Sequence, residues 1–254
     1  MSVLSFVYRE LITRPLLNGL VAIYLILPYH DLGLAIIVLT LIVRILLHSS
    51  IRQTIHSQRA MAAIQPKLRQ VQERFKNDKE ALGRETMALY RAQGIHPLSG
   101  FTPLLIQLPV LIGLYRLFWK GLAVTNRSLL YPFFSQFAAF NPVAFGLFDL
   151  TQPSIALALA AGASQFLQSY TMPKVPVSSS RPGDFATAMQ WQARYVFPII
   201  IAAISWSLPS ALAFYWTVFN IFAMLQQQII ERSMSYGRDE RTHHPNSRQD
   251  GHPG

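Results

Sequence analysis

The chain has 254 residues, of which 51% are hydrophobic and only 13% are charged, which predicts a polytopic membrane protein because soluble domains contain about 25% charged residues. Its lack of cysteine excludes disulfides, thiolate metal sites and a cysteine nucleophile. The net charge of +10 is typical of a membrane protein whose cytoplasmic loops are rich in lysine and arginine, so we expect no DNA partner.

Residues 1–30 predict an interfacial helix followed by a short apolar segment. Ser2–Leu17 places apolar residues at roughly helical spacing around Arg9, Glu10 and Arg14, a pattern typical of an amphipathic helix at the membrane surface. Leu16–Leu27 is apolar but short, since a span needs about 20 residues. We interpret it as a re-entrant or interfacial segment, and a tilted additional span is the alternative.

Residues 31–51 form the first predicted span. Leu32–Leu47 is apolar except for Thr40 and Arg44, and with its flanks it reaches the ~30 Å thickness of the hydrocarbon core. A charge at mid-bilayer costs about 2.5–3.5 kcal/mol on insertion scales, so a guanidinium there needs water or polar partners. We therefore predict that Arg44 faces a wet cavity lined by protein. The alternative is that its side chain snorkels to the membrane surface near Ser49.

Residues 52–97 predict a cytoplasmic hairpin of two helices. Arg52–Gln93 has nine lysines and arginines against four acidic residues. Apolar residues recur at heptad-like spacing between Ile64 and Phe75, and Asn77 with Asp78 indicates a turn. Pro66 should kink or restart the first helix. The basic residues of the hairpin include Arg69, Arg74, Lys76, Lys79 and Arg84. The alternative is that these charges only anchor the topology, which is the usual role of such residues.

The remaining segments alternate between apolar spans and more polar loops. In chain order they are span two (98–118), an extracytoplasmic loop rich in aromatic residues (119–153), span three (154–170), a cytoplasmic loop (171–194), spans four and five (195–230) and a disordered cytoplasmic tail (231–254). Sixteen lysines and arginines fall in the hairpin, the 171–194 loop and the tail, against four on the other side. This asymmetry predicts an extracytoplasmic N-terminus and a cytoplasmic C-terminus.

Arg44 is the charged residue that lies well inside a predicted span, since Asp31 and Arg116 lie near the ends of theirs. The other polar residues of the spans are uncharged. The residues that could line a cavity with Arg44 are Gln107, Ser164, Gln165, Gln168, Ser205, Thr217 and Asn220. No aspartate or glutamate lies within the apolar part of a predicted span, since Asp31 stands at the very start of the first one, and this disfavours a proton- or sodium-coupled transporter. The chain also has no HExxH, GxSxG or phosphate-loop motif, so we expect no enzyme activity, no cofactor and no metal site.

Several sequence motifs together resemble the YidC/Oxa/Alb family of membrane protein insertases. They are LIVR at 41–44, MAAIQPKLRQVQERFKND at 61–78, ALYRAQGIHPLSGFTPLLIQLPV at 88–110, FYWTVFN at 214–220 and QQQII at 226–230. The resemblance covers roughly residues 11–232. It implies an all-α fold with five core transmembrane helices, a cytoplasmic helical hairpin, and a groove open to the cytoplasm and to lipid. The basic residues of the hairpin are then the candidate contacts for a ribosome or a signal-recognition receptor.

The resemblance also implies a function. A member of this family receives nascent membrane proteins and passes them into the bilayer of the plasma (inner) membrane, alone or with the Sec translocon, and has no small-molecule substrate. Arg44 would receive the extracytoplasmic tail of the client protein. The client's transmembrane segment would contact an apolar slide formed by Pro103, Leu104, Ile106, Pro109, Phe197, Ile201 and Pro209. A small-solute transporter and a structural assembly factor remain as alternatives.

Overall fold

The computed structural model describes residues 3–94, 102–119, 129–171 and 191–243, with side chains except at 3–5, 102–107, 119, 193 and 235–243. These residues are mainly helical, as predicted. The helices are α1 (Val3–Tyr8), α2 (Arg14–Ile26), α3 (Leu32–Leu46), α4 (His48–Ala63), α5 (Gln65–Arg74), α6 (Lys79–Ala92), α7 (Thr102–Trp119), α8 (Ile155–Thr171), α9 (Phe197–Ser207) and α10 (Ser210–His243), and the strands β1 (Val143–Ala144) and β2 (Phe148–Asp149) form a small antiparallel hairpin.

The first predicted span is bent. Residues 31–51 were expected to form one helix, but α3 ends at Leu46 and α4 begins at His48, with an angle of 66° between them. The break coincides with the change from apolar residues to the polar sequence His48-Ser49-Ser50. Among the described residues, this bent pair is long and apolar enough to cross a membrane, and no single helix is. The five predicted spans therefore stay a prediction.

Two prolines near helix starts are preceded by π-helical turns. Pro15 follows the turn Arg9–Thr13, and Pro198 follows the turn Gln192–Val196. Proline lacks an N–H and its ring crowds the preceding turn, and single π-helical turns occur mostly as bulges within α-helices. α1 continues through the turn Arg9–Thr13 into α2 without a break.

The core lies where α2, α3, α7, α8, α9 and α10 meet residues 129–153. Its most completely buried side chains include Leu20, Ile36, Phe118 and Leu150. α8 packs against both α9 and α10, and α3 packs against α2 and α10. Side chains from distant parts of the sequence therefore share one apolar cluster.

The contact between α8 and α9 depends on small residues. Gly162 is buried, and a Cβ added to it would lie 2.8 Å from Cβ of Ala202 and 3.2 Å from the carbonyl oxygen of Pro198. Small residues let two helix backbones approach closely. We therefore expect Gly162→Val to lower the melting temperature of the detergent-purified protein, since overpacking a core costs about 1–3 kcal/mol of unfolding free energy.

Gly83 provides the control for this prediction. It lies on the exposed face of α6, and no heavy atom lies within 4 Å of an added Cβ. Gly83→Ala should preserve or raise the melting temperature, because glycine within a helix is about 0.5–1 kcal/mol less favourable than alanine. Equal melting temperatures for the wild type and Gly162→Val would contradict the close packing of α8 on α9.

Residues 129–153 cover the start of α10. The N–H groups of Ser210 and Ala211 donate to the carbonyl oxygens of Gln152 (3.1 Å) and Leu150 (2.9 Å). The first N–H groups of a helix have no partner within the helix, so this segment supplies partners for two of them.

The same segment is attached to α3 through Asp31. The Asp31 carboxylate accepts from the N–H of Leu34 at 2.8 Å, which caps α3, and from the N–H of Phe145. Gly33 makes room for the ring of Phe145, because a Cβ at Gly33 would lie 2.5 Å from that ring. One carboxylate thereby joins the small β-hairpin to the start of α3.

Helices α5 and α6 pack against each other across the turn at residues 75–78. Pro66 lies in the first turn of α5, immediately after α4 ends, so the expected restart of the helix at this proline is confirmed. Asp78 accepts hydrogen bonds from the N–H groups of Glu80 and Ala81 and so begins α6. The predicted apolar face is half-buried to buried, with Ile64 and Leu68 about 4–5% exposed.

The structure differs from the predicted disorder of residues 231–254, because α10 continues to His243. Its 34 residues correspond to about 51 Å of helix at 1.5 Å per residue. Extending an existing helix adds a hydrogen bond per residue without a new nucleation step, so the polar composition of this segment did not end it. Residues 244–254 lie outside the described residues.

Candidate functional site

Arg44 lies on the face of α3 that meets α10. The residue is 7% exposed, and its Nε donates to Oε1 of Gln226 at 3.0 Å. Its Nη1 is 3.5 Å from the carbonyl oxygen of Phe219, and its guanidinium carbon is 4.5 Å from the centre of the Phe219 ring. Arg44 therefore contacts α10 and does not extend into solvent beyond the end of α3. This disfavours snorkelling towards Ser49.

A cavity of about 110 Å³ lies beside Arg44, between α3, α4, α7, α8 and α10. A single water molecule needs about 10–15 Å³, so the cavity has room for several. Its wall is largely apolar, and the polar side chains on it include those of Arg44, Thr40, Gln168, Tyr215 and Gln227. The structure therefore places the predicted arginine at a cavity wall, and the water itself stays a prediction.

Gln168 also lines this cavity, and Gln165 lies behind it. The amide nitrogen of Gln165 donates to Oε1 of Gln168 at 3.3 Å, and the Gln165 oxygen accepts from Nε1 of Trp216 at 2.8 Å. Two of the predicted groove residues thus form a short polar chain from the cavity wall on α8 towards α10.

Three other predicted groove residues, Ser205, Thr217 and Asn220, do not line the described cavity. Asn220 is 1% exposed and donates to Oγ of Ser164 at 3.0 Å, which joins α10 to α8. Thr217 donates to the carbonyl oxygen of Ala213 within its own helix at 2.9 Å, and Ser205 is buried on α9. The side chain of Gln107 lies outside the described residues.

The predicted slide residues on α9 are buried or partly buried. Ile201 is 3% exposed, and Phe197 packs partly buried against the core. Pro209 is partly buried between α9 and α10. The exposed apolar side chains of α9 are instead those of Ile199, Ile200, Ile204 and Trp206, which are 40–69% exposed.

The predicted slide residues on α7 are only partly described. Pro103, Leu104 and Ile106 lie in the helix at positions whose side chains are outside the described residues. Pro109 is half-buried within α7, and its carbonyl oxygen accepts from the hydroxyl of Tyr8 at 2.7 Å. That hydrogen bond attaches the N-terminal helix α1 to α7.

Sequence reasoning missed the residues that hold Arg44, namely Gln226 and Phe219. Both lie on α10, where Phe219, Ala223 and Gln226 are spaced four and three residues apart and so share one helix face. This spacing was readable in the sequence, but nothing in it indicated that this face of α10 meets α3. The amide nitrogen of Gln226 also lies 3.0 Å from Nδ1 of His48, the first residue of α4.

Gln227 and Glu231 form a second polar contact in the middle of α10, next to Gln226. The amide nitrogen of Gln227 donates to the carbonyl oxygen of Thr171 and, at 3.2 Å, to Oε1 of Glu231. Nη2 of Arg59, on α4, is 3.6 Å from Oε2 of Glu231. These contacts join α10 to α8 and to α4.

The predicted partner contacts on α5, α6 and the turn between them are mostly exposed. Arg74, Lys76, Lys79 and Arg84 are exposed, and Arg69 is half-buried. Arg84 pairs with Glu80 one turn away at 3.2 Å, and such surface pairs contribute only about 0.3–0.5 kcal/mol. The pair therefore leaves Arg84 accessible to a partner.

The chain is similar to a family of membrane proteins over most of its length. The sequence model of the family described as "60Kd inner membrane protein" matches residues 24–238. A relative from Oceanobacillus iheyensis, named "Membrane protein insertase YidC", is 32% identical over 206 residues, which are 80% of this chain and 75% of the relative.

Two further relatives with the same name are longer than this chain. The protein from Actinobacillus succinogenes is 32% identical over 204 residues, 80% of this chain and 34% of the relative. The protein from Francisella tularensis subsp. novicida is 31% identical over 202 residues, 79% of this chain and 32% of the relative. The chain therefore spans about a third of the length of these two relatives.

Proposed function

Because the chain belongs to the 60Kd inner membrane protein family, we propose that it is a membrane protein insertase of the plasma (inner) membrane. It receives nascent membrane proteins beside Arg44 and passes them into the bilayer. The observation that carries this proposal is the nearly buried guanidinium of Arg44 at the wall of a cavity between α3 and α10. The relatives' names do not favour the small-solute transporter or the assembly factor.

The buried charge suits reversible capture of a polar client tail. A guanidinium presents hydrogen-bond donors and no acceptor, so it attracts carboxylate and carbonyl oxygens. Hydrogen bonds to a charged group contribute about 1.5–3 kcal/mol, which holds a tail briefly and still allows its release. A polar partner within the bundle also lowers the cost of moving a polar segment through hydrocarbon. No covalent step and no cofactor is needed.

The client's transmembrane segment requires an apolar surface near this site. We assign it to the exposed face of α9, with Ile199, Ile204 and Trp206, and to the exposed side chains of Leu108 and Ile112 on α7. This assignment replaces the buried Ile201 and the partly buried Phe197 as client contacts. An apolar segment leaving the cytoplasm would pass along these side chains into lipid.

The proposed topology places α3, α7, α8, α9 and α10 across the membrane and α5–α6 in the cytoplasm as a helical hairpin. The charge distribution of sixteen basic residues against four supports this orientation. The N-terminus and residues 119–153 are then extracytoplasmic and the C-terminus is cytoplasmic, while α2, at 13 residues, is interfacial or re-entrant.

The hairpin is the proposed contact for partners on the cytoplasmic side. Arg74, Lys76, Lys79 and Arg84 give α5 and α6 an exposed basic surface, which suits a ribosome or a signal-recognition receptor. The Sec translocon is a further proposed partner, beside the bilayer itself.

Reconstitution tests the proposed function directly. Purified protein in liposomes should insert a short-tailed, single-span client, measured as protection of its tail from added protease. Equal protection in liposomes without the protein would contradict an insertase function. Saturable flux of a small solute, with no client insertion, would favour a transporter.

Photo-crosslinking tests the path of the client. A photoreactive amino acid at Ile204 should crosslink to a ribosome-arrested client, because this side chain is 50% exposed. The same amino acid at Ile201, on the same helix but 3% exposed, is the matched control and should give little product. Stronger crosslinking from Ile201 would contradict the assigned surface of α9.

A further inference from the structure

Gln226 has its side-chain amide fixed at both ends. A guanidinium nitrogen can only donate, so the Gln226 atom 3.0 Å from Nε of Arg44 must be its oxygen. The amide nitrogen then faces Nδ1 of His48 at 3.0 Å, and Nδ1 must accept. α3 and the first residue of α4 therefore determine together which way the amide points.

The contacts of Arg44 leave limited room for a second oxygen ligand. Phe219 covers one face of the guanidinium at 4.5 Å, and Gln226 occupies the Nε edge. Carboxylates often bind arginine through two parallel N–H···O bonds. A carboxylate that uses Nε and a neighbouring nitrogen of Arg44 must first displace the amide of Gln226.

No acidic side chain among the described residues pairs with Arg44. The nearby carboxylate on α10 is that of Glu231, which lies 3.6 Å from Arg59 and accepts from Gln227. Gln227 itself is turned towards Thr171 on α8. The neutral amide of Gln226 is therefore the polar side chain that a client's acidic group would replace.

We propose that Gln226 is a placeholder on Arg44, which occupies the position of a client carboxylate when the groove is empty and so sets the preference of the groove for acidic tails. This inference rests on the proposed insertase function. A neutral amide suits the task because it satisfies the buried guanidinium but binds it less strongly than a carboxylate does. A glutamate at the same position would remain paired with Arg44 and exclude the client, and an apolar residue would leave the guanidinium without this partner.

The test uses the full-length protein in liposomes and two clients that differ only in their tails. One tail carries aspartate and glutamate, and the other carries asparagine and glutamine at the same positions. We expect Gln226→Glu to slow insertion of the acidic-tailed client about tenfold, because a carboxylate on Arg44 competes more strongly than an amide. Insertion of the neutral-tailed client should stay within about twofold.

Gln228→Glu is the matched control, since it adds the same charge two residues along α10 on an exposed side chain. It should leave the ratio of the two insertion rates as in the wild type. Gln226→Met removes the placeholder but keeps the length of the side chain. This variant should insert the acidic-tailed client at least as fast as the wild type does.

The outcomes separate this inference from the proposed function. If the wild type inserts neither client, the proposed function fails. If the wild type inserts both clients, either of two results overturns the inference. One is that Gln226→Glu slows insertion of the two clients equally. The other is that Gln228→Glu slows insertion of the acidic-tailed client as much as Gln226→Glu does. A loss in Gln226→Met as large as that in Gln226→Glu also overturns it, because it would show that Gln226 is needed only to hold Arg44.

Discussion

Replacing Arg44 with alanine is expected to slow insertion of an acidic-tailed client about 10- to 100-fold. The substitution removes a charged hydrogen-bond donor worth about 1.5–3 kcal/mol to a client oxygen, and 1.4 kcal/mol corresponds to a factor of ten. A client with a neutral tail should be affected less, since it lacks the opposite charge. The measurement is the initial rate of tail protection in liposomes at equal amounts of folded protein.

Arg44→Lys should give an intermediate rate for the acidic-tailed client. Lysine keeps the charge, but it lacks the planar fork that lets Arg44 contact Gln226 while stacking on Phe219. Arginine and lysine are not equivalent at a stacked, hydrogen-bonded position. If the charge alone mattered, Arg44→Lys would insert the client at the wild-type rate. A rate between those of the wild type and Arg44→Ala indicates that the geometry of the guanidinium also contributes.

Ile45→Ala is the control for both arginine variants. Ile45 is the next residue of α3, is 64% exposed and is not part of the cavity wall. It should insert both clients at nearly the wild-type rate. Normal insertion of the acidic-tailed client by Arg44→Ala would contradict the proposed groove, and an equal loss for both clients would show that Arg44 does not recognise the charge of the tail.

The position of Arg44 was predictable because a charge within an apolar run requires a polar partner. Its partners were not, since Phe219 and Gln226 are 175 and 182 residues away along the chain. Three successive glutamines, 226–228, look alike in the sequence. Only the rotation of α10 about its axis turns the first towards α3, the second towards Thr171 and the third outward.

The choice of slide residues shows a second limit of sequence reasoning. α9 is apolar around its whole circumference, so no periodicity distinguishes a core face from an exposed face. Ile201 was therefore as good a candidate as Ile204, although the structure buries the first and exposes the second. The small residues Gly162 and Ala202 decide the outcome, because they bring one face of α9 against α8.

The predicted polar residues illustrate a related limit. A buried amide in an apolar helix needs a partner, but the sequence does not say whether that partner is water or another side chain. For Asn220 the partner is Ser164 on α8, and for Gln165 it is Trp216. Gln168 does line the cavity, so the same residue type serves helix packing in one place and the cavity wall in another.

Asn18→Leu is expected to lower the unfolding free energy by about 2–4 kcal/mol, the largest stability effect expected from a single substitution here. Asn18 is 2% exposed on α2, and its amide nitrogen donates to the carbonyl oxygens of Arg14 (2.7 Å) and Leu129 (2.8 Å). Its oxygen accepts from the N–H of Tyr131 at 2.7 Å. Leucine has a similar volume but leaves the Leu129 and Tyr131 backbone groups without this partner, at about 1–3 kcal/mol each.

The readout is the melting temperature in detergent, which should fall by about 5–15 °C for a chain of this size. Ile26→Ala is the control, because Ile26 is on the same helix and 82% exposed, and it should change the melting temperature little. Asn18 is not part of the cavity wall, so the folded fraction of Asn18→Leu should retain the wild-type ratio of insertion rates for acidic-tailed and neutral-tailed clients. An unchanged melting temperature would show that the 129–153 segment does not need this attachment to α2, and a changed ratio would show that the segment influences the groove.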